Sequence, residues 1–105
     1  MDIISIDELH DKIQNMEGNN LILDVRSAEE YSEGHIEGSQ NTSHEEVNGI
    51  AADLKAYDKV YVHCKMGGRA KMASETLIAA GLDNIICVGN GGMERWTTMG
   101  WPVQK

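Results

Sequence analysis

The apolar positions of the chain switch repeatedly between strand-like and helical spacing. Short apolar runs at 21–25, 60–63 and 85–88 are typical of strands that are covered on both faces. Apolar residues at helical spacing predict helices between these strands and at both ends. The predicted helices cover 6–16, 28–33, 47–54, 70–80 and 93–99. Strands that alternate with helices over one short chain predict an α/β fold with a doubly wound parallel sheet.

Three of the helix starts share one local pattern. Ser5, Ser27 and Ser43 are each followed three residues later by glutamate, the S-x-x-E form of a capping box. In such a box the serine accepts a hydrogen bond from a backbone N–H of the first turn, and the glutamate reaches back to the serine N–H. We therefore expect a helix to begin after each serine.

Composition restricts the class of protein. A length of 105 residues, 41% hydrophobic and 25% charged, predicts one globular domain over residues 1–105. The net charge of −8 argues against nucleic-acid and anionic-membrane partners. The N-terminus carries acids where a signal peptide has a basic segment, and no apolar run is long enough to span a bilayer. We therefore expect a cytoplasmic protein with free cysteines.

Positive charge is concentrated in one segment of this acidic chain. Residues 59–74 contain no Asp or Glu but hold four of the nine basic residues, Lys59, Lys65, Arg69 and Lys71. Cys64 lies in the same segment, directly after a predicted strand, and ligands of parallel α/β sheets bind beyond the carboxyl ends of the strands. This segment is the strongest candidate for a functional site.

The residues that follow Cys64 are suited to hold an anion. Gly67 and Gly68 allow a tight loop whose backbone N–H groups turn inward, and the next helix adds the partial positive charge of its N-terminus. Lys65 and Arg69 act in the same direction, so the loop predicts a stabilised, nucleophilic thiolate. Met66 at the loop tip fits either plain packing or an apolar contact for a sulfur acceptor.

The loop from Cys64 to Arg69, CKMGGR, resembles the C-x-x-G-x-R active-site loop of rhodanese-type sulfurtransferases. The segments 24–26, 30–31 and 34–39 are similar to the N-terminal signature of that family, and 91–92, Trp96 and 100–103 to its C-terminal one. The resemblance implies a single rhodanese domain with a five-stranded parallel sheet and helices on both faces. The chain departs from the family pattern after Gly38, where Ser43 stands in place of the usual proline.

The same resemblance implies a sulfur-transfer reaction. Cys64 would take sulfur from a small anionic donor such as thiosulfate, form a persulfide, and pass the sulfur to a thiol or cyanide. Donor binding would fall to the five loop residues that follow it, Lys65, Met66, Gly67, Gly68 and Arg69. Arg69 could instead belong to an ion pair that only stabilises the scaffold. Cysteine persulfide, polysulfide and mercaptopyruvate stay open as donors.

Two other functions compete with a free-standing sulfurtransferase. A persulfide carrier or regulatory module would use the same cysteine to deliver sulfur to a protein partner. A cysteine phosphatase or arsenate reductase would need the pattern H-C-x-x-x-x-x-R. His63 and Cys64 match its start, but only four residues separate Cys64 from Arg69, one too few for that loop.

Charged residues at a second strand end are possible supporting groups. Asp24 and Arg26 either face the substrate or hold loops together, with Glu29 or Glu30 as the expected partner of Arg26. His63 precedes the nucleophile on a strand, so we expect it to point to the opposite face as a structural, hydrogen-bonded residue.

Metal and cofactor sites are not expected. Cys87 lies inside an apolar run and fits simple packing. The two cysteines lack C-x-x-C spacing and paired histidines, which leaves no zinc site. The glycines of 89–92 do not complete a dinucleotide loop, because Glu94 stands where the third glycine belongs.

Overall fold

The computed structural model describes all 105 residues and contains one five-stranded sheet. All neighbouring strands pair in parallel, in the order β1-β5-β4-β2-β3. The strands are β1 (Asp2–Ser5), β2 (Asn20–Asp24), β3 (Gln40–Asn41), β4 (Lys59–His63) and β5 (Ile85–Asn90). The helices are α1 (Ile6–Ile13), α2 (Ala28–Glu33), α3 (Ala51–Leu54), α4 (Gly68–Ala79) and α5 (Met93–Thr98), with a 3₁₀ turn at Val47–Ile50 before α3.

Side chains that alternate along the strands supply two apolar clusters, one on each face of the sheet. On β4, Val60 and Val62 join the larger cluster, which the 3₁₀ turn, α3 and α4 cover. Tyr61 points the other way into the second cluster, under α1 and α5. This arrangement confirms the predicted doubly wound sheet with helices on both faces. Because both faces are covered, the inner positions of β2, β4 and β5 form apolar runs.

Two of the three predicted capping boxes are present. Ser5 Oγ accepts from the Glu8 N–H at 3.1 Å, and Ser27 Oγ accepts from the Glu30 N–H at 3.2 Å. In both, the glutamate side chain accepts from the serine N–H. Helix α2 covers the predicted residues, whereas α1 ends at Ile13, three residues before the predicted end at Met16.

The third predicted capping box is wrong. Ser43 Oγ accepts from the Glu45 N–H at 3.3 Å, within a turn, and the helical segment begins only at Val47. The preceding chain is tied to β2 and its extension, because the Thr42 N–H donates to Asp24 O and the His44 N–H to Val25 O. These sheet-like bonds keep the residues around Ser43 out of helical geometry.

Strands β1 and β3 were not recognised individually from the apolar pattern. Both are edge strands without a fully buried residue, and β3 has only two residues. A short edge strand is defined by its partner, which for β3 is β2 through the pairs Leu23–Gln40 and Asp24–Asn41. No helix in the structure has the length and apolar character needed to cross a bilayer.

Candidate active site

Cys64 lies immediately after β4, the middle strand of the sheet, at the carboxyl edge. Its residue surface is 1% exposed, and its Sγ accepts two backbone hydrogen bonds. The Gly67 N–H donates at 3.0 Å and the Ala70 N–H at 3.3 Å. Two backbone N–H groups of the loop thus point at one buried sulfur atom.

Gly67 provides the backbone conformation that turns the loop. Its φ of +120° lies in a region that side-chain-bearing residues rarely adopt. A Cβ at this position would also overlap the backbone oxygen of Gly89, which lies in β5. Glycine is therefore required here on two independent grounds, strain and space.

Gly92 lets the start of α5 approach the other side of the same loop. A Cβ on Gly92 would lie 2.6 Å from Lys65 O and closer still to Cys64 O. The close approach allows the Met93 N–H to donate to Cys64 O at 2.9 Å and the Glu94 N–H to donate to Lys65 O at 3.1 Å. The start of α5 thus holds the backbone of Cys64 and Lys65, and the only sign of this contact in the sequence is the Gly91-Gly92 pair.

Arg69 is held by a carboxylate on α2. Its Nη1 and Nη2 donate to Glu30 Oε1 and Oε2 at 2.6 and 3.0 Å. The hydrogen bonds from Arg69, with further bonds from Ser27, lower the pKa of Glu30 to about 2, and the same pair raises the pKa of Arg69. A bidentate ion pair between Arg69 and Glu30 therefore connects the start of α4 to α2.

Asp24 and Arg26 pair with each other beneath the surface. The Arg26 side chain donates to Asp24 Oδ1 at 3.0 Å and to Oδ2 at 2.8 Å, and it also donates to Gly34 O at 2.8 Å. Asp24 is fully buried and Arg26 is 6% exposed. The expected pairing of Arg26 with Glu29 or Glu30 is wrong, because the Arg26 side chain is bonded to Asp24 and Glu30 is engaged by Arg69.

His63 lies beside Asp24 in the parallel register of β2 and β4. It is fully buried, and burial lowers its pKa while the neighbouring Asp24 opposes that shift. The expected hydrogen bonds are absent, since neither ring nitrogen has a partner. Strand alternation directs Tyr61 and His63 away from the face that carries Cys64, which leaves His63 poorly placed to act as its base.

An open depression of about 440 Å³ lies over Cys64. The other residues that line it come from the loop and the first turns of α4, and they are Lys65, Met66, Gly68, Arg69 and Met72. Met66 is 64% exposed and Met72 is 52% exposed, so both thioether side chains border the mouth. Met72 was not identified from the sequence. Its signal was its position one helical turn after Gly68, on the helix that begins at the loop.

Cys87 is the second free cysteine of the structure and belongs to the apolar cluster that also contains Cys64. It is completely buried, and burial raises the pKa of its thiol. A neutral, inaccessible thiol fits the packing role that the sequence predicts.

Known proteins resemble this chain in sequence and in fold. The profile of the Rhodanese-like domain matches residues 5–99. This chain belongs to the rhodanese-like domain family. The chain is also 37% identical over 94 residues to the putative sulfur carrier protein YrkF of Bacillus subtilis (strain 168). That match covers 90% of this chain but only half the length of the relative.

Two further comparisons support the rhodanese-like assignment. Thiosulfate sulfurtransferase GlpE of Pseudomonas fluorescens (strain SBW25) is 31% identical over 80 residues, which cover 74% of this chain and 71% of that protein. The crystal structure of a rhodanese-related protein from Thermoplasma volcanium superposes with a TM-score of 0.80 at 30% identity. It covers 99% of this chain and 98% of that one. The predicted family and fold are therefore confirmed, and sulfur-handling proteins are among the relatives.

Proposed function

We propose that this rhodanese-like domain is a sulfurtransferase whose Cys64 accepts a sulfane sulfur and passes it to a thiophilic acceptor. The observation that carries the proposal is the environment of Cys64 Sγ. The atom lies under an open depression and accepts hydrogen bonds from the Gly67 and Ala70 N–H groups. Backbone donors that stabilise a thiolate also stabilise a persulfide anion by the same interaction. The loop therefore stabilises Cys64 both before and after it accepts sulfur.

Each half of the proposed cycle is one displacement at sulfur. In the first, the Cys64 thiolate attacks the outer sulfur of thiosulfate, a new S–S bond forms, and the old S–S bond breaks with its electron pair leaving on sulfite. In the second, cyanide or a thiolate attacks the outer sulfur of the persulfide and Cys64 leaves as thiolate. Covalent catalysis of this kind predicts ping-pong kinetics.

The loop residues have distinct proposed roles. Gly67 and Gly68 shape the turn that presents the N–H groups, and exposed Lys65 attracts anions toward the mouth. Arg69 contributes by fixing α4 to α2 through Glu30, with its charge a secondary influence on the site. Met66 borders the mouth as an apolar contact. The buried Asp24–Arg26 pair supports the neighbouring strand end.

Steady-state turnover tests the proposal. We expect thiosulfate and cyanide to give thiocyanate with parallel double-reciprocal lines, and Cys64→Ser and Cys64→Ala to abolish the reaction. Cys87→Ala is the matched control, because it removes the other thiol of the same apolar cluster and leaves the loop intact. Substantial turnover in either Cys64 variant would refute the proposed role of this cysteine.

A sulfur carrier that serves a protein partner is a second candidate function. It is favoured by the exposed methionines at the mouth and by the name of the Bacillus relative, a putative sulfur carrier protein. A carrier would transfer one persulfide sulfur to its protein acceptor faster than it turns over thiosulfate with cyanide. Single-round transfer and steady-state turnover, measured on the same preparation, distinguish the two.

A phosphatase or arsenate reductase has less support. An oxyanion needs a ring of donors with a free guanidinium, whereas two N–H groups here converge on Sγ and Arg69 is engaged by Glu30. Incubation with an aryl phosphate and with arsenate tests that reading directly. A phosphoryl or arsenate adduct on Cys64 would replace sulfur transfer as the proposed reaction.

A further inference from the structure

We propose that the mouth over Cys64 selects an organic persulfide, R–S–SH, in preference to thiosulfate, and that Met66 and Met72 determine this specificity. The inference rests on the proposed sulfurtransferase function and names the class of donor for the same site. It follows from two features of the mouth, its charge and its apolar rim.

The charge at the mouth is weaker than the sequence suggests. Arg69 is the one cation there with a forked donor geometry suited to a sulfonate, and both of its terminal nitrogens are bonded to Glu30. The exposed ammonium groups of Lys65 and Lys71 remain, and solvent screens such groups. Lys65 also shares its two adjoining depressions with Glu94. A dianionic oxyanion therefore finds no forked guanidinium partner at the mouth, only solvent-screened ammonium groups.

The apolar rim suits a different donor. Met66 and Met72 flank the depression that contains Cys64, and they expose 64% and 52% of their surface. Thioether side chains are flexible and polarizable, so they pack against the S–S–CH₂ part of an organic persulfide. A sulfonate group in the same place would lose water without gaining hydrogen bonds.

The proposed sulfur uptake balances without an oxidant or reductant. The Cys64 thiolate attacks the terminal sulfur of R–S–SH, the new bond joins Sγ to that sulfur, and the donor S–S bond breaks. The electron pair leaves on R–S⁻, and the transferred sulfur keeps its hydrogen until the persulfide Cys64–S–SH releases it as a proton to solvent. The departing thiolate takes a proton from water.

The test measures sulfur uptake in a single turnover. Reduced protein is mixed with cysteine persulfide or with thiosulfate, and the reaction is quenched at intervals. Intact-protein mass spectrometry then measures the fraction that carries a one-sulfur adduct. Cys64→Ser identifies uptake at any other position. We expect the second-order rate constant for cysteine persulfide to exceed that for thiosulfate by about tenfold or more, the discrimination that a small apolar contact provides.

Serine variants test whether the two methionines at the mouth cause the preference for cysteine persulfide over thiosulfate. In Met66→Ser/Met72→Ser the ratio of the two rate constants falls about tenfold, because the apolar contact is lost. Met99→Ser removes an exposed methionine that does not line the depression and leaves the ratio unchanged. Preference for thiosulfate, equal rates, or an unchanged ratio in the double variant would overturn the inference while leaving sulfur transfer intact. Absence of an adduct with both donors would overturn the proposed function as well.

Discussion

Substitution of Gly92 by alanine tests how closely α5 holds the active-site loop. Gly92 has a φ of 170°, an extended conformation that alanine also adopts, so the expected effect comes from space alone. The new Cβ would lie 2.6 Å from Lys65 O and closer to Cys64 O. Because ordinary contacts between heavy atoms require well over 3 Å, the start of α5 must withdraw by about 1 Å.

The withdrawal sets the magnitude of the effect. The bonds from the Met93 and Glu94 N–H groups, now 2.9 and 3.1 Å long, would stretch beyond hydrogen-bonding distance. Weakening two such bonds at a largely buried position costs about 2–4 kcal/mol of unfolding free energy. The carbonyls belong to Cys64 and Lys65, so a displaced loop should also slow sulfur uptake by about 100-fold, the typical effect of a 1 Å misplacement.

Urea unfolding and the rate of sulfur uptake from thiosulfate measure the two effects. Gly49→Ala is the matched control, since Gly49 has open space around its Cβ position and lies outside the loop. The control should change stability by less than about 1 kcal/mol and leave uptake at the native rate. Native stability and native uptake in Gly92→Ala would refute the claim that close approach of α5 supports the loop that carries Cys64.

Three further predictions concern charges and the loop turn. The Arg69 ion pair stabilises the fold fully above pH 4.5, the ordinary pKa of Glu30, and is lost as pH falls toward about 2. Glu30→Gln should therefore remove about 1 kcal/mol near neutrality and flatten the loss of stability in that acidic range, whereas an unchanged acid profile would contradict the pairing. Gly67→Ala should cost about 2 kcal/mol or more in urea unfolding, from its positive φ together with the backbone overlap, and native stability would contradict the strain. Asp24→Asn leaves the Arg26 cation buried without its counter-ion and should lower the unfolding free energy by about 3–5 kcal/mol, while a thermal midpoint close to the native value would contradict a buried pair.

Much of the fold could be predicted from local signals that agree with one another. The apolar runs of the central strands and the helical patterns between them predict Cys64 at a strand end, where the structure has it. Two capping boxes predict the starts of α1 and α2. Ser43 carries the same signature without a helix, because bonds from its neighbours to Asp24 and Val25 outweigh a local preference. The apolar pattern does not predict the edge strands β1 and β3, because pairing with a neighbouring strand defines them.

The candidate site shows a similar division. The position of the cysteine and the glycine turn follow from chain-local features, and the structure places them together. The partner of Arg69 could not be deduced from spacing, since Glu30 lies 39 residues from Arg69 and only the fold brings α2 beside α4. For the same reason Met72 and the α5 contact to the loop became evident only in three dimensions.

Intact-protein mass spectrometry after exposure to a sulfur donor tests the central claim most directly. The mass of the reduced protein is measured after reaction with thiosulfate and again after treatment with cyanide. The Cys64→Ser variant is treated in the same way. The account predicts an adduct of one sulfur atom, located on Cys64, removed by cyanide and absent from the variant. No adduct with thiosulfate or with cysteine persulfide, or an adduct that persists in Cys64→Ser, would contradict it.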